Sequence, residues 1–345
     1  MSVSAKKGGS LFLMLAGLIA AVAALYLDFG GSEWSGRGKL LIIGAVLVMA
    51  GIYFLPTKKH RQVVNFLFLF PLVFTFFVTV LFPFISGVYY SLTDWNGITY
   101  TKFVGLENYI TMFQSSDFVY SFVLTALFTV LNMILVNVTA FGLALLCTSK
   151  VKGKNIYRAI YFLPNLIGGI VLGYVWQFIF NKVFVLIFGG NSMLSDANMA
   201  FVAILIVEVW QYAGYIMMIY VTGLQGIPSD VLEAADMDGA SKLVMMLKIK
   251  IPMIWNTITV CIFLTLVNSF KLFDLNLALT NGAPSRIMGG KIYAGTEFLA
   301  MNIYNTSIIQ GKYSLGQAKA VVFFVILAVI SLTQVAISKK KEVEV

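Results

Sequence analysis

The chain is 345 residues long, 59% hydrophobic and 11% charged, where ordinary soluble domains carry about 25% charged residues, and its mean hydropathy is +0.89. That composition excludes a soluble enzyme or soluble binding module and leaves a polytopic membrane protein. The formal net charge of +9 sits in short clusters between apolar runs, a pattern that orients membrane spans, and no Lys/Arg stripe with interleaved aromatics marks a nucleic-acid groove.

Site chemistry is sparse. The lone histidine, His60, lies in the basic run Lys58-Lys59-His60-Arg61 and reads as a membrane-surface residue rather than a metal ligand. Cys147 and Cys261 both lie in apolar segments and suggest neither a disulfide framework nor a metal site. No GxxxxGK[ST] phosphate loop occurs, and Gly153-Lys154-Asn155 is not one. If ATP drives this protein, another chain binds it. No activated nucleophile, histidine pair or paired carboxylates appear, so no catalytic residues are expected.

In chain order, Lys6 and Lys7 precede an apolar run from Leu11 to Leu27. It reads as an uncleaved span, the alternative being a signal peptide cut near Ala21-Val22-Ala23. Asp28 to Lys39 is a short loop, Leu40 to Leu55 a second span, and Pro56 with the 58–61 cluster marks the cytoplasmic side. Val63 to about Leu92 is long and aromatic, and Pro83 is expected to kink it or mark its exit. Trp95 and the tyrosines beyond suit the headgroup level. Val119 to Cys147 contains Asn132 and Asn137, expected to act as helix–helix glue ahead of substrate contact. Lys150, Lys152, Lys154 and Arg158 make the next loop cytoplasmic. A span follows to about Phe180, with Trp176 near its outer end and an outer loop over 181–198.

Ala200 to Leu224 contains a buried acid, Glu208, and Gln211, Tyr212 and Tyr215 at helical spacing. Tyrosine stacks on a pyranose face and glutamine bonds hydroxyls; packing inside the bundle is the competing role. Ile254 to Leu279 carries Asn268, Lys271 and Asp274, the last two three apart on one helix and able to pair. The segment from Asn281 to about Tyr313 is the longest outer loop. Leu315 to Ile337 is the last span, and Lys339-Lys340-Lys341 keeps the C-terminus inside. This gives about eight spans, with both termini cytoplasmic.

One polar island, Pro228 to Pro252, separates two of these spans. Asp230 and Glu233 read as a capping-box-like helix start. Gly239 is placed to end that helix, Ser241 to cap a second, and Pro252 to stop it. Glu233-Ala234-Ala235, then Gly239, Ile249, Ile251 and Pro252 at this spacing resemble the EAA loop of ABC importer permeases, with Ile251 where the family usually has Leu. Other strings agree. Ser91–Gly97 (SLTDWNG) and Phe103–Tyr109 (FVGLENY) are similar to the first outer loop of maltose-type sugar permeases. Tyr157 to Pro164 resembles the family's FRxxxFLP, 223–228 its approach to the EAA loop, and Ser269–Pro284 its SFKxFDxxxxLTxGGP, with Ala283 replacing a glycine.

The resemblance covers roughly 65–337 and implies an all-α fold, the type I ABC importer transmembrane domain. The expected organisation is an N-terminal hairpin over 1–62, a core helix and outer loop over 63–118, the permease domain over 119–338 and a basic tail over 339–345. It implies one of two permease subunits of a carbohydrate importer in a prokaryotic plasma (inner) membrane, a transport subunit and not an enzyme. The implied partners are a second permease, two ATPase subunits that hold ATP and Mg, and an extracellular or periplasmic sugar-binding protein. The implied coupling residues are Glu233, Ala234, Ala235, Asp238, Gly239, Ile249 and Pro252. Gln211, Tyr212, Tyr215, Asn268, Lys271 and Asp274 are pathway candidates, with a structural pairing of Lys271 and Asp274 equally open. Glycerol phosphate importers share the same strings, and an ATP-independent secondary transporter is the alternative from another class.

Overall fold

A computed structural model of the chain describes residues 3–29, 36–54, 60–100, 102–149 and 152–339. Pro56, Lys58, Lys59, Lys150, Lys340 and Lys341, to which orienting or boundary roles fall, lie outside the described residues. Among the described residues, six helices are long and apolar enough to cross a membrane, or seven if one bent pair counts as a single span. The second expected span folds as a helix of 17 residues, at the lower limit of about 17–25 needed to cross a bilayer.

The chain divides into two compact units, 1–86 and 87–345. In the first, α1 (Val3–Phe29) and α2 (Arg37–Tyr53) form an antiparallel pair before α3 (His60–Phe76). Small residues set their separation. A Cβ on Gly44 would come within 2.7 Å of the Ala21 backbone nitrogen, and one on Gly51 within 2.5 Å of Met14. Ser10 donates to the Gly51 carbonyl across the same seam. In lipid there is no water to expel, so such close backbone approach is what holds helices together. Past α3, a π turn over Phe77–Leu81 precedes Pro83, and α4 (Phe82–Ser91) continues the apolar run. The disturbance expected at Pro83 is taken up in that wide turn, a common response to an interrupted hydrogen-bond ladder.

The second unit begins with a short polar connection and α5 (Glu107–Gln114). Tyr90 and Trp95 stack there at 4.5 Å. Its framework is α6 (Ser116–Thr148), α10 (Ala197–Gln225) and α14 (Trp255–Phe270). Asp196 caps α10 by accepting from the backbone N–H groups of Asn198 and Met199. Alanines at 140 and 144 let α6 approach Ile216, Met217 and Tyr220 of α10 closely. The amides expected to glue helices do so. Asn132 donates to Ser269 Oγ (2.8 Å), Asn137 donates to Thr265 Oγ1 (2.9 Å), and Tyr220 donates to Asn137 Oδ1 (2.7 Å). Bonds of this kind contribute about 0.6–2 kcal/mol each in a membrane interior.

Two expected spans are broken. The span after α6 begins as α7 (Lys154–Phe162), passes through a 3₁₀ turn at Leu163–Leu166, and restarts as α8 (Gly169–Phe178). It continues through a π turn at Ile179–Val183 into α9 (Phe184–Phe188). The helix therefore outruns the boundary expected at Phe180, and Trp176 lies in mid-span. Asn181 and Lys182 imitate a membrane boundary in sequence, but the apolar run Phe184–Phe188 beyond them stays helical. The second break falls at Lys271–Phe273, between α14 and α15 (Asp274–Leu279). Here α15 folds across α8 where glycines leave room: a Cβ on Gly173 would come within 2.5 Å of Ala278 Cβ, and one on Gly169 within 3.0 Å of Asp274 Cβ. The Gly-x-x-x-Gly spacing provides that close approach.

The inner island contains α11 (Ser229–Met237), α12 (Lys242–Val244) and α13 (Ile251–Met253). The long outer segment is ordered as an antiparallel hairpin, β1 (Ser285–Met288) and β2 (Lys291–Ala294), turned by Gly289 and Gly290 at positive φ. Then come α16 (Leu299–Tyr304) and the last helix, α17 (Tyr313–Lys339). Buried polar contacts bind this segment to the bundle. Lys319 of α17 donates to Asn302 Oδ1 and Thr306 Oγ1, both at 2.7 Å, while Glu297 accepts from Asn302 and Asn305.

Candidate functional site

The two breaks and α10 enclose a cavity of about 260 Å³. Its lining joins Asn165 and Gly169 from the first break, Glu208, Gln211 and Tyr212 from α10, and Asn268, Lys271 and Asp274 from the second. Five of the six pathway candidates therefore meet in one place. Tyr215 does not; it lies one turn further along α10 in a separate cavity, with its ring centroid 5.5 Å from that of Tyr212.

Backbone interruptions create the space. Unsatisfied helix ends are tolerated at membrane depth only where they are buried in protein or line a wet cavity. Gln211 Nε2 donates to the carbonyl of Ile167 (2.9 Å), satisfying a group freed by the first break. Glu208 is buried and accepts from Asn268 Nδ2 at 2.7 Å. This bond fixes the Asn268 amide and ties α10 to the end of α14.

Lys271 and Asp274 correct the expectation of a pair on one helix. Lys271 is the residue after α14, and Asp274 opens α15 beyond the break. No ion pair joins them among the described residues. The reason is tertiary: α15 buries Leu275 and Leu279 and donates from Asn276 Nδ2 to the Thr296 carbonyl (2.6 Å). Those contacts outweigh continuation of the helix. Asn165 and Gly169 are lining residues that sequence reasoning passed over. Their signal was the helix-interrupting string Pro164-Asn165-Leu166-Ile167-Gly168-Gly169 inside an apolar run.

The cavity offers amides, a phenol, two carboxylates and one ammonium. It can donate to and accept from a ligand rich in hydroxyls. With two acids to one lysine, it lacks the basic excess that phosphate recognition favours.

The coupling candidates lie on the inner island. Glu233 and Ala234 are exposed on α11, Ala235 is buried beneath it, and Asp238 ends the helix. The capping box does not form. The helix begins at Ser229 with Pro228 in the N-cap position, which places Asp230 inside the first turn and Glu233 beyond N3. Gly239 reverses the chain at φ +72°, with open space where a Cβ would stand. Ser241 Oγ then accepts from the Val244 N–H (3.3 Å). Ile249 is half-buried and Pro252 exposed. Pro252 does not stop the second helix, which passes through a π turn at Met245–Lys250 and ends at Met253. The missing Pro252 N–H leaves the preceding turn wide. The chain then bends by 74° directly into α14.

Three comparisons bear on this arrangement. Residues 138–343 match the family described as "Binding-protein-dependent transport system inner membrane component". The chain is 42% identical over 284 residues, 81% of its length and 94% of the relative's, to a probable starch degradation products transport system permease protein of Thermoanaerobacterium thermosulfurigenes. It is 30% identical over 270 residues, 76% of its length and 90% of the relative's, to a multiple sugar-binding transport system permease protein of Streptococcus mutans. In fold it is similar to a chain of a bacterial alginate ABC transporter solved with an alginate pentasaccharide-bound periplasmic protein, with a TM-score of 0.69 at 19% identity over 82% of this chain and 96% of that one. With broken spans around a polar cavity and an exposed inner segment joined to one of them, the chain belongs to the inner-membrane permease family of binding-protein-dependent ABC importers, as a transport subunit rather than an enzyme.

Proposed function

We infer that this chain forms half of the solute pathway of an ATP-driven carbohydrate importer in a prokaryotic plasma membrane, and that residues 228–253 couple it to a separate ATPase. One observation carries the reading. The exposed island is joined through the 74° bend to α14, and the far end of α14 supplies Asn268 and Lys271 to the cavity. A push on the island at one end of α14 is therefore applied to the cavity wall at the other.

The island is built to receive a partner. Met237 is 88% exposed, Leu243 63% and Leu247 53%, and Glu233 stands free for a basic group on the ATPase. ATP and Mg would be held by that partner. A second permease would close the other side of the pathway, and a periplasmic or extracellular protein would deliver the sugar. Alternating access follows if ATP-driven closure of the ATPase pair moves the island and shifts the balance between two arrangements of the broken spans. A neutral sugar fits the cavity's mixed donors and acceptors better than a glycerol phosphate, and the relative at 42% identity, named for starch degradation products, supports a starch-derived oligosaccharide.

The test is ATP hydrolysis by the co-purified complex in nanodiscs, with the cognate binding protein and a panel of maltodextrins, other sugars and glycerol 3-phosphate. Stimulation requiring both the binding protein and one sugar is expected. Stimulation by glycerol 3-phosphate alone would replace the substrate class. Uptake driven by an ion gradient, with no ATPase in the complex, would overturn the coupling.

A further inference from the structure

One face of α10 carries more than the polar cavity. Glu208, Gln211, Tyr215, Met218 and Thr222 recur at intervals of three or four residues, so they form a single stripe, about 21 Å long at 1.5 Å per residue. The upper part of the stripe lines the polar cavity. The lower part lines a second cavity of about 330 Å³, together with Arg158 and Phe162. The broken span follows α10 past both. Asn165 and Gly169 face the first cavity, and Phe162 and Arg158 face the second. The two walls run antiparallel and in register, which sets the cavities one after the other along α10 as an upper and a lower chamber.

What parts them is an aromatic pair. Tyr212 lines the first chamber and Tyr215 the second, with ring centroids 5.5 Å apart and planes tilted by 43°. At the far end, Arg158 donates from Nη2 to the Cys147 carbonyl (3.0 Å), which anchors it to the end of α6. Its buried Nε has no hydrogen-bond partner among the described residues, leaving a donor at the lower chamber. The opposite face of α10 faces elsewhere. Val202, Ile206 and Trp210 line a separate cavity of about 530 Å³ there, together with Thr139 and Tyr161, and none of these residues lines the polar cavity.

We propose that solute leaves the polar cavity down this stripe, passing the Tyr212–Tyr215 pair as its gate and entering the second cavity as a vestibule that opens toward the ATPase side. The proposal rests on the importer reading. Each ring presents an apolar face to a sugar ring, so a pyranose can exchange one stacking partner for the next without crossing bare hydrocarbon. Arg158 and Thr222 offer hydrogen bonds beyond the gate.

Cysteine accessibility in the complete transporter complex, without nucleotide, tests the route. Met218→Cys and Thr222→Cys are each expected to react with a charged thiol reagent added from the ATPase side. The rate should exceed that of Ile206→Cys, in the separate cavity on the opposite face, by about tenfold, as for a wet site against a dry one. A cysteine at Gln211, above the gate, should react slowly, and about tenfold faster once Tyr215→Ala removes half of the pair. Rates at 218 and 222 no higher than at 206 overturn the vestibule, and an unchanged rate at 211 overturns the gate. ATPase activity of the unmodified complex is the separate check. If it responds to binding protein and sugar while the labelling fails, the importer reading stands and the route falls.

Discussion

The two long connections of the second unit, residues 228–253 and 281–312, are similar in length and opposite in construction. The outer one is tied down by its own chain, although Ile287 and Ile292 of its hairpin are 75% and 70% exposed. Thr296 donates to Thr280 Oγ1 or the Ala283 carbonyl (both 2.8 Å), Tyr120 donates to the Gly295 carbonyl (3.0 Å), and the Leu299 N–H donates to Thr125 Oγ1 (2.7 Å). Lys319 is buried at 4% exposure and ties Asn302 and Thr306 to the last helix. The inner connection has helices but little to rest on. Ala235 and Met245 are buried, while Val231, Met237, Leu243 and Leu247 face outward. A segment that satisfies its polar groups within the chain is a fixed platform. One that satisfies its backbone through helices and leaves apolar side chains uncovered is waiting for a second surface. Movement can enter most easily through the segment that its own chain holds least, here residues 228–253.

The largest effect should come from blocking that second surface. Gly239→Asp places a charged side chain in open space at a turn that already requires positive φ. Sugar uptake should fall by about tenfold to a hundredfold, while ATP hydrolysis persists without coupling and the melting temperature in detergent stays close to that of the parent. Unchanged uptake would break the comparison, because the inner segment would then be a loop like any other.

The outer platform should respond in the opposite sense, through stability. Lys319→Met removes two donors from a buried cluster and leaves Asn302 Oδ1 unsatisfied. A loss of about 1–3 kcal/mol is expected, read as a lowered unfolding temperature, with stimulation by the binding protein falling only in proportion to folded protein. Limited proteolysis of the permease without its ATPase sharpens the contrast directly. Cleavage within 228–253 should run about tenfold faster than within 281–312, since local opening costs least where few buried contacts resist it, and added ATPase should slow it. The smallest change is Thr296→Val, which removes the hydroxyl that bonds toward Thr280 and Ala283 and should cost about 1 kcal/mol in thermal stability.

The sequence alone determined that the chain is a bundle of membrane helices, because runs of apolar residues at this length have no other way to satisfy their backbone in lipid. It also determined the glycine turn at Gly239, the Ser241 cap, and the roles of Asn132 and Asn137, since each depends on one residue's local chemistry or on the cost of an amide in hydrocarbon. It marked Gln211, Tyr212, Asn268, Lys271 and Asp274 as polar groups in apolar surroundings. How they meet is set by contacts between distant segments. An unbroken helical pattern carries the chain from Ile254 to Leu279 on paper. The break at 271–273 comes from α15 seating itself on Gly169 and Gly173, residues a hundred positions away in sequence. The same holds for Lys319, near the start of the last span, which is buried because Asn302 and Thr306 fold back over it. Local propensity and hydropathy are properties of a segment and can be read from it. Breaks, cavities and buried pairings are properties of two segments at once, and their energies exist only after the chain has brought both to one place.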